Sequence, residues 1–180
     1  MTKHNDKTSP LGTGGKTLIL IRHAKSSWDD SSVSDFERPL NERGKKDAPI
    51  MANRLLEKKV KIDAFISSPA KRASRTARVF AKEYKIDKDD ILYKTELYGA
   101  SEREFFGVIE KISDKFDCIA IFSHNPGLTD FANQLTDVLI DDIPTCGIFA
   151  VRSNAAKWSE FSNAEKNFWF FDYPKSETDG

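Results

Sequence analysis

Thr17-Leu18-Ile19-Leu20-Ile21-Arg22-His23 is the stretch from which the rest of the chain is read. Its apolar part is continuous rather than alternating and is of strand length, as expected for a strand buried on both faces of a sheet. It stops abruptly at two residues that carry chemistry. Upstream, Gly12-Thr13-Gly14-Gly15 marks a break, and residues 1–16 read as a flexible polar tail in which His4 is incidental. Downstream, residues 24–39 are rich in Ser and Asp and close in Arg38-Pro39. They read as a long loop, a kind of segment that often carries function.

Beyond that loop, strand and helix patterns alternate. Ala48, Met51, Ala52, Leu55 and Leu56 recur at helical spacing between about Asn41 and Lys59, and Ala64-Phe65-Ile66 is a short strand. Ser68 is placed to cap a helix that has Pro69 in its first turn and runs to about Lys85. Ile91-Leu92-Tyr93 is a weaker strand, and Ser101 with Glu104 forms a capping-box signature for a helix reaching Ile112. Cys118-Ile119-Ala120-Ile121-Phe122 is another buried strand. Asn125 and Pro126 then open a helix through Leu135. Gly147–Val151, Ala156–Phe161 and Asn167–Phe171 are aromatic and β-branched enough for strands, and 174–180 is a polar tail. This order predicts one compact α/β domain over residues 17–173, a three-layer structure with a mostly parallel central sheet and helices on both faces.

Composition narrows the function. A chain of 180 residues lies in the single-domain range and hides roughly 70% of its unfolded surface. With 28 basic and 28 acidic residues it lacks the positive field that drives non-specific nucleic-acid binding, so any anion site is local. The polar first sixteen residues hold no signal-peptide core, and no run of about 18 apolar residues predicts a membrane span. A soluble, cytoplasmic protein is expected. Cys118 and Cys146 lack a CxxC spacing and read as reduced thiols. Asp89-Asp90 and Asp141-Asp142 have no neighbouring His and read as solvated turns rather than metal ligands.

Ligands of open α/β sheets bind outside the carboxyl ends of the strands. Three such ends carry cationic or ionisable groups here: Arg22 and His23, then Ser67-Ser68-Pro69 with Lys71 and Arg72 in the following turn, then His124. Arginine forks and helix amino termini together neutralise a phosphoryl group. A neutral ring nitrogen of His23 could attack phosphorus, dividing one displacement into two, with His124 binding the phosphoryl oxygens as a cation. Ser26 either donates to the phosphate or caps the loop. Lys25 reads as loop solvation, Trp28 as a lid or packing residue, and Arg75 and Arg78 as solvent-facing positions.

Arg22-His23-Ala24, Ser68-Pro69-Ala70-Lys71-Arg72-Ala73-Ser74-Arg75-Thr76-Ala77 and His124-Asn125-Pro126-Gly127-Leu128 resemble, in order and placement, the motifs of the histidine phosphatase superfamily. Arg22–Trp28, Asp35–Gly44 and Ile143–Gly147 are similar to its SixA-type phosphohistidine phosphatase branch, although Ala24 stands where the superfamily usually has glycine. The resemblance implies a phosphoglycerate-mutase-like fold, a covalent phosphohistidine on His23, a phosphate pocket completed by Arg22, Arg72 and His124, and no metal or other cofactor. It implies a phosphorylated protein, such as a phosphohistidine-bearing phosphorelay domain, as substrate. A small phosphomonoester or phosphoramidate is the alternative, and a non-catalytic phosphoprotein-binding module is a third reading. For the proton donor the candidates are Glu96, Asp29 and Asp35. The branch can also lack an obvious acid, which an imidazole leaving group would tolerate.

Overall fold

The structure, a computed structural model, describes residues 15–176. The tail through residue 14, with His4 and most of the glycine punctuation, and residues 177–180 lie outside the described residues. Among the described residues six strands form one sheet: β1 (Thr17–Arg22), β2 (Ala64–Ser67), β3 (Leu92–Tyr93), β4 (Cys118–Ser123), β5 (Ile148–Ser153) and β6 (Lys166–Asp172). Their spatial order is β3-β2-β4-β1-β5-β6. The first four run parallel to one another, and β5 is antiparallel to both β1 and β6. Among the described residues there are four α-helices: α1 (Glu42–Glu57), α2 (Lys71–Glu83), α3 (Glu102–Glu110) and α4 (Gly127–Leu135). No helix among the described residues is long and apolar enough to cross a membrane.

The unbroken apolar run of β1 is explained by its central place. Leu18 and Leu20 face one core with Phe105, Val108, Leu128 and Phe131 of α3 and α4. Ile19 and Ile21 face the other, with Met51, Leu55 and Phe80 of α1 and α2. Every apolar side chain of that run is fully buried. The expected three layers are therefore present.

The strand order places a ligand crevice. The chain leaves β1 through α1 on one face of the sheet and leaves β4 through α4 on the other, and β1 and β4 are neighbours. Two adjacent parallel strands whose exits diverge to opposite faces open a gap at their carboxyl ends, where ligands of such sheets sit. Register puts Arg22 beside Ser123 there, so His23 and His124 emerge side by side.

Some expectations change. The strand expected at Ala156–Phe161 is not formed, and Trp158–Asn163 is a 3-10 helix. Its two large apolar side chains, Trp158 and Phe161, stand three apart and are both fully buried, the repeat of a 3-10 turn rather than of a strand. Its apolar density resembled that of a strand. Ser68 does not cap α2, which begins at Lys71. Lys16, the last residue of the expected tail, is 2% exposed, its ammonium held by the carbonyls of Asp114 and Phe116 and by the Asp117 carboxylate.

Both cysteines are free and buried, and burial raises each thiol pKa, that of Cys118 to about 12. Cys118 pairs with Thr17 at one end of β1, whereas the Cys146 amide bonds the His23 carbonyl beyond the other end. Six residues of strand put them about 20 Å apart, far outside disulfide reach.

Candidate active site

His23 is 7% exposed and its backbone is clamped on two sides. Its amide donates to the Ser123 carbonyl (3.1 Å), and its carbonyl accepts from the Cys146 amide (3.0 Å). The ring is clamped as well. Nδ1 lies 2.8 Å from the Ala24 carbonyl oxygen, which can only accept, so Nδ1 carries the proton and Nε2 keeps a lone pair. The His23 pKa is pushed down to about 3, chiefly by burial, with His124, Arg72 and Arg22 adding to the effect against the hydrogen bond to Ala24. The imidazole is neutral at pH 7.

The other groups surround it. The rings of His23 and His124 stand 5.1 Å apart at 48°. His124 places Nε2 at 2.8 Å from the Ser68 hydroxyl, and its pKa falls to about 4 through burial and the nearby Arg72 and Arg22, against Asp35. It is therefore neutral at pH 7 without a ligand, whereas the cation expected from sequence belongs to the phosphoryl-bound state. An incoming phosphoryl dianion would raise its pKa again. Arg22 donates through Nη1 to the Ile143 carbonyl at 2.9 Å and lies 3.6 Å from Asp142. Asp142 also accepts from Asn125 Nδ2 at 2.7 Å, so this predicted solvated turn braces the site. Among the described residues no three His, Cys, Asp or Glu side chains, those of Asp141-Asp142 and Asp89-Asp90 included, are grouped so that they could hold a metal ion.

Four buried side-chain polar atoms lack a partner among the described residues, and three of them are Arg22 Nε, Arg72 Nε and His124 Nδ1. An unpaired buried polar group costs roughly 1–3 kcal/mol. These three fall on residues grouped around the His23 ring.

Arg72 already faces an anion. Its Nη1 donates to the Asp35 carbonyl (2.6 Å) and its Nη2 to Asp35 Oδ2 (3.0 Å). The same carboxylate accepts from Tyr98 Oη (2.6 Å) and Arg38 Nη1 (3.1 Å), and Tyr98 foremost, with Arg38 and Arg72, lowers its pKa to about 2. Tyr98 also meets the rings of His124 and Phe36 edge-on, so the long loop and the segment after β3 touch across the site. Among the described residues the Ser26 side chain is hydrogen-bonded to Arg38 and not to Arg22, His23, Arg72 or His124. Its hydroxyl oxygen is held by Arg38, whose guanidinium stacks 3.3 Å over the exposed ring of Trp28. Ser26 and Trp28 thus order the loop.

Of the acid candidates, Asp35 is ionised and paired. Glu96 is exposed on the 3-10 turn Thr95–Leu97, where it lines a separate cavity with Lys94, Glu104 and Lys111. Asp29 is exposed, its amide bonded to the Ser27 hydroxyl. Thr76 had no assigned role from sequence, yet its hydroxyl accepts from the Ala24 amide (2.9 Å) and donates to the Arg72 carbonyl (2.8 Å). It thereby fixes the residue whose carbonyl fixes His23. A threonine one helical turn after Arg72 is the only trace of this in the sequence.

The model of the histidine phosphatase superfamily (branch 1) matches residues 18–119, more than half of the chain. The chain belongs to that superfamily. This histidine phosphatase superfamily member is 28% identical over 162 residues to an uncharacterized chloroplastic protein of Arabidopsis thaliana, covering 84% of this chain and 73% of that one. It is 38% identical over 103 residues to phosphoserine phosphatase 1 of Hydrogenobacter thermophilus, covering 55% and 48% of the two chains. Among solved structures it is similar to the protein histidine phosphatase SixA complexed with tungstate, with a TM-score of 0.74 at 20% identity over 88% of this chain and 97% of that one. The fold is phosphoglycerate-mutase-like, as the resemblance implied.

Proposed function

We propose that the protein is a phosphatase in which His23 Nε2 attacks the phosphorus of a phosphohistidine carried by a protein. The observation that carries this reading is the tautomer of His23, held by the Ala24 carbonyl with its lone pair free in a site where Arg22 Nε, Arg72 Nε and His124 Nδ1 lack hydrogen-bond partners among the described residues. Attack forms the Nε2–P bond and releases the substrate's imidazole. Water then displaces the phosphoryl group from His23, regenerating the imidazole and releasing inorganic phosphate. Arg22, Arg72 and His124 hold the phosphoryl oxygens as charge moves onto them.

The state of the carboxyls bears on the leaving group. Asp35 is ionised in a triple hydrogen bond, and Glu96 and Asp29 make their contacts elsewhere. An imidazole leaves with less protonic help than an alkoxide, so this arrangement favours phosphohistidine over a serine or sugar ester. The likeness to the SixA structure supports the same choice. The partial match to phosphoserine phosphatase 1 favours a second reading, a small phosphomonoester substrate.

The test is a rapid quench with radiolabelled phosphohistidine protein, phosphoserine and a small ester. An acid-labile, base-stable phosphate on the enzyme is expected, lost in His23→Ala with turnover reduced at least about a thousandfold. Product formation without label at His23 would reject the mechanism. Faster turnover of phosphoserine than of phosphohistidine would reject the substrate.

A further inference from the structure

Beside the site, α2 carries Lys71, Arg75, Arg78 and Lys82 in one line, spaced by four, three and four residues. Side chains at those spacings share a helix face, and like charges there repel at a few tenths of a kcal/mol per pair. None of the four is within ion-pair distance of a carboxylate among the described residues. Arg75, Arg78 and Lys82 are exposed, while the opposite face of the helix, through Ala73, Ala77, Phe80 and Ala81, is buried. The helix therefore keeps a row of repelling charges that its own packing does not need.

The row lines a groove of about 580 Å³, whose other walls are Pro39, Leu40 and Val79, with Lys45 of α1 at its edge. The groove begins at the site. Lys71 directly precedes Arg72, and Pro39 and Leu40 close the loop that holds Asp35 and Arg38. From Lys71 to Lys82 the row extends about 16 Å, the length of five residues of extended chain.

We infer that this groove docks an acidic segment of the phosphorylated protein substrate, adjacent to the phosphorylated residue, with Asp and Glu side chains on the α2 row and an apolar side chain on Leu40 and Val79. The chain as a whole has no net charge, so the row is a local complement to a local acidic stretch rather than part of a general polyanion field. The groove presents apolar side chains between its cations and no aromatic face on which a base could stack, which favours a protein over a single-stranded nucleic acid. The inference rests on the phosphatase reading for its catalytic consequence: docking lowers KM for protein substrates and leaves small substrates untouched.

Two peptides phosphorylated on histidine, one with four Asp or Glu beside the phosphohistidine and one with Ser in their place, are compared with phosphoramidate as substrates of the full chain. Wild type should favour the acidic peptide in kcat/KM by about tenfold at low salt, the sum of several rim ion pairs, and lose the preference as salt rises. The variant R75E/R78E/K82E should lose the preference while hydrolysing phosphoramidate at the wild-type rate. Equal kcat/KM for the two peptides in wild type, or a preference retained by the variant, would overturn docking. Fluorescence anisotropy of the labelled, unphosphorylated acidic peptide gives an answer independent of catalysis. Binding that the variant loses supports docking even if no substrate is turned over, which would sink the phosphatase reading alone. Absence of binding, or retention on anionic vesicles or RNA instead of the peptide, overturns the inference.

Discussion

Arg72 is paired with Asp35, and under the proposed function a phosphoryl dianion entering the pocket has to take the place of that carboxylate. Two charge-assisted hydrogen bonds join the pair, but Asp35 is half-exposed, so the exchange is cheap. Asp35→Asn is expected to lower the inhibition constant of inorganic phosphate about three- to fivefold, the equivalent of an exposed ion pair of ~1 kcal/mol or less. Weaker phosphate binding in that variant would mean that Asp35 orders the site more than it blocks it. Glu96 faces the opposite test. A general acid contributes about 10²-fold or more, so Glu96→Gln should leave turnover of a phosphohistidine protein within about twofold of wild type, measured beside His23→Ala. At this level His23, Arg22, Arg72 and His124 were legible because each stands at a predicted strand end or in the first turn after one. Asp35 as the partner of Arg72 was not, since 37 residues separate them and only the folded loop brings the carboxylate over the site.

The loop itself is ordered by the helix that follows it. Asn41 accepts from the Gly44 amide to cap α1, and its own amide donates to the Lys25 carbonyl at 3.0 Å. Gly44 is required by that approach, because a Cβ there would sit 2.1 Å from the same carbonyl oxygen. Gly44→Ala is expected to cost ~1–3 kcal/mol, a drop in Tm of roughly 3–10 °C by thermal unfolding, and to raise KM by displacing the Lys25 end of the loop. An unchanged Tm would show that the loop yields freely. Helices α1 to α4 and the central strands were legible from periodicity and capping residues. The Trp158–Asn163 turn was not, because aromatic density alone reads as strand in sequence, and the packing of the segment against α3, which buries Trp158 and Phe161 together, sets the 3-10 turn.

The two buried, neutral histidines give the whole molecule a pH dependence. Both pKa values are lowered from 6.5, to about 3 for His23 and about 4 for His124. Between those values and 6.5 the unfolded chain binds protons that the folded chain refuses, so this contribution is complete above about pH 6.5 and declines as pH falls toward 4. At pH 5 the loss is roughly 2 kcal/mol for each histidine relative to pH 7. Asp35, lowered from 3.8 to about 2, adds a further loss only below about pH 4. Thermal unfolding from pH 7 to 5 should show Tm falling steadily, with a clearly shallower slope in H23Q/H124Q, whose side chains do not titrate. Parallel slopes would mean that the histidines are protonated in the folded state.

The division between sequence and fold follows from the range of the forces involved. Local periodicity, capping residues and the abrupt end of Thr17–Ile21 at Arg22-His23 determined the α/β class, the order of its elements and the residues at the strand ends, because each depends on neighbours within a few positions. The tautomer of His23, the neutrality of His124, the Asp35 latch on Arg72 and the uncompensated row on α2 were decided only by tertiary structure. Each depends on burial or on a partner tens of residues away, and dehydration and long-range pairing arise only when the sheet brings those ends together.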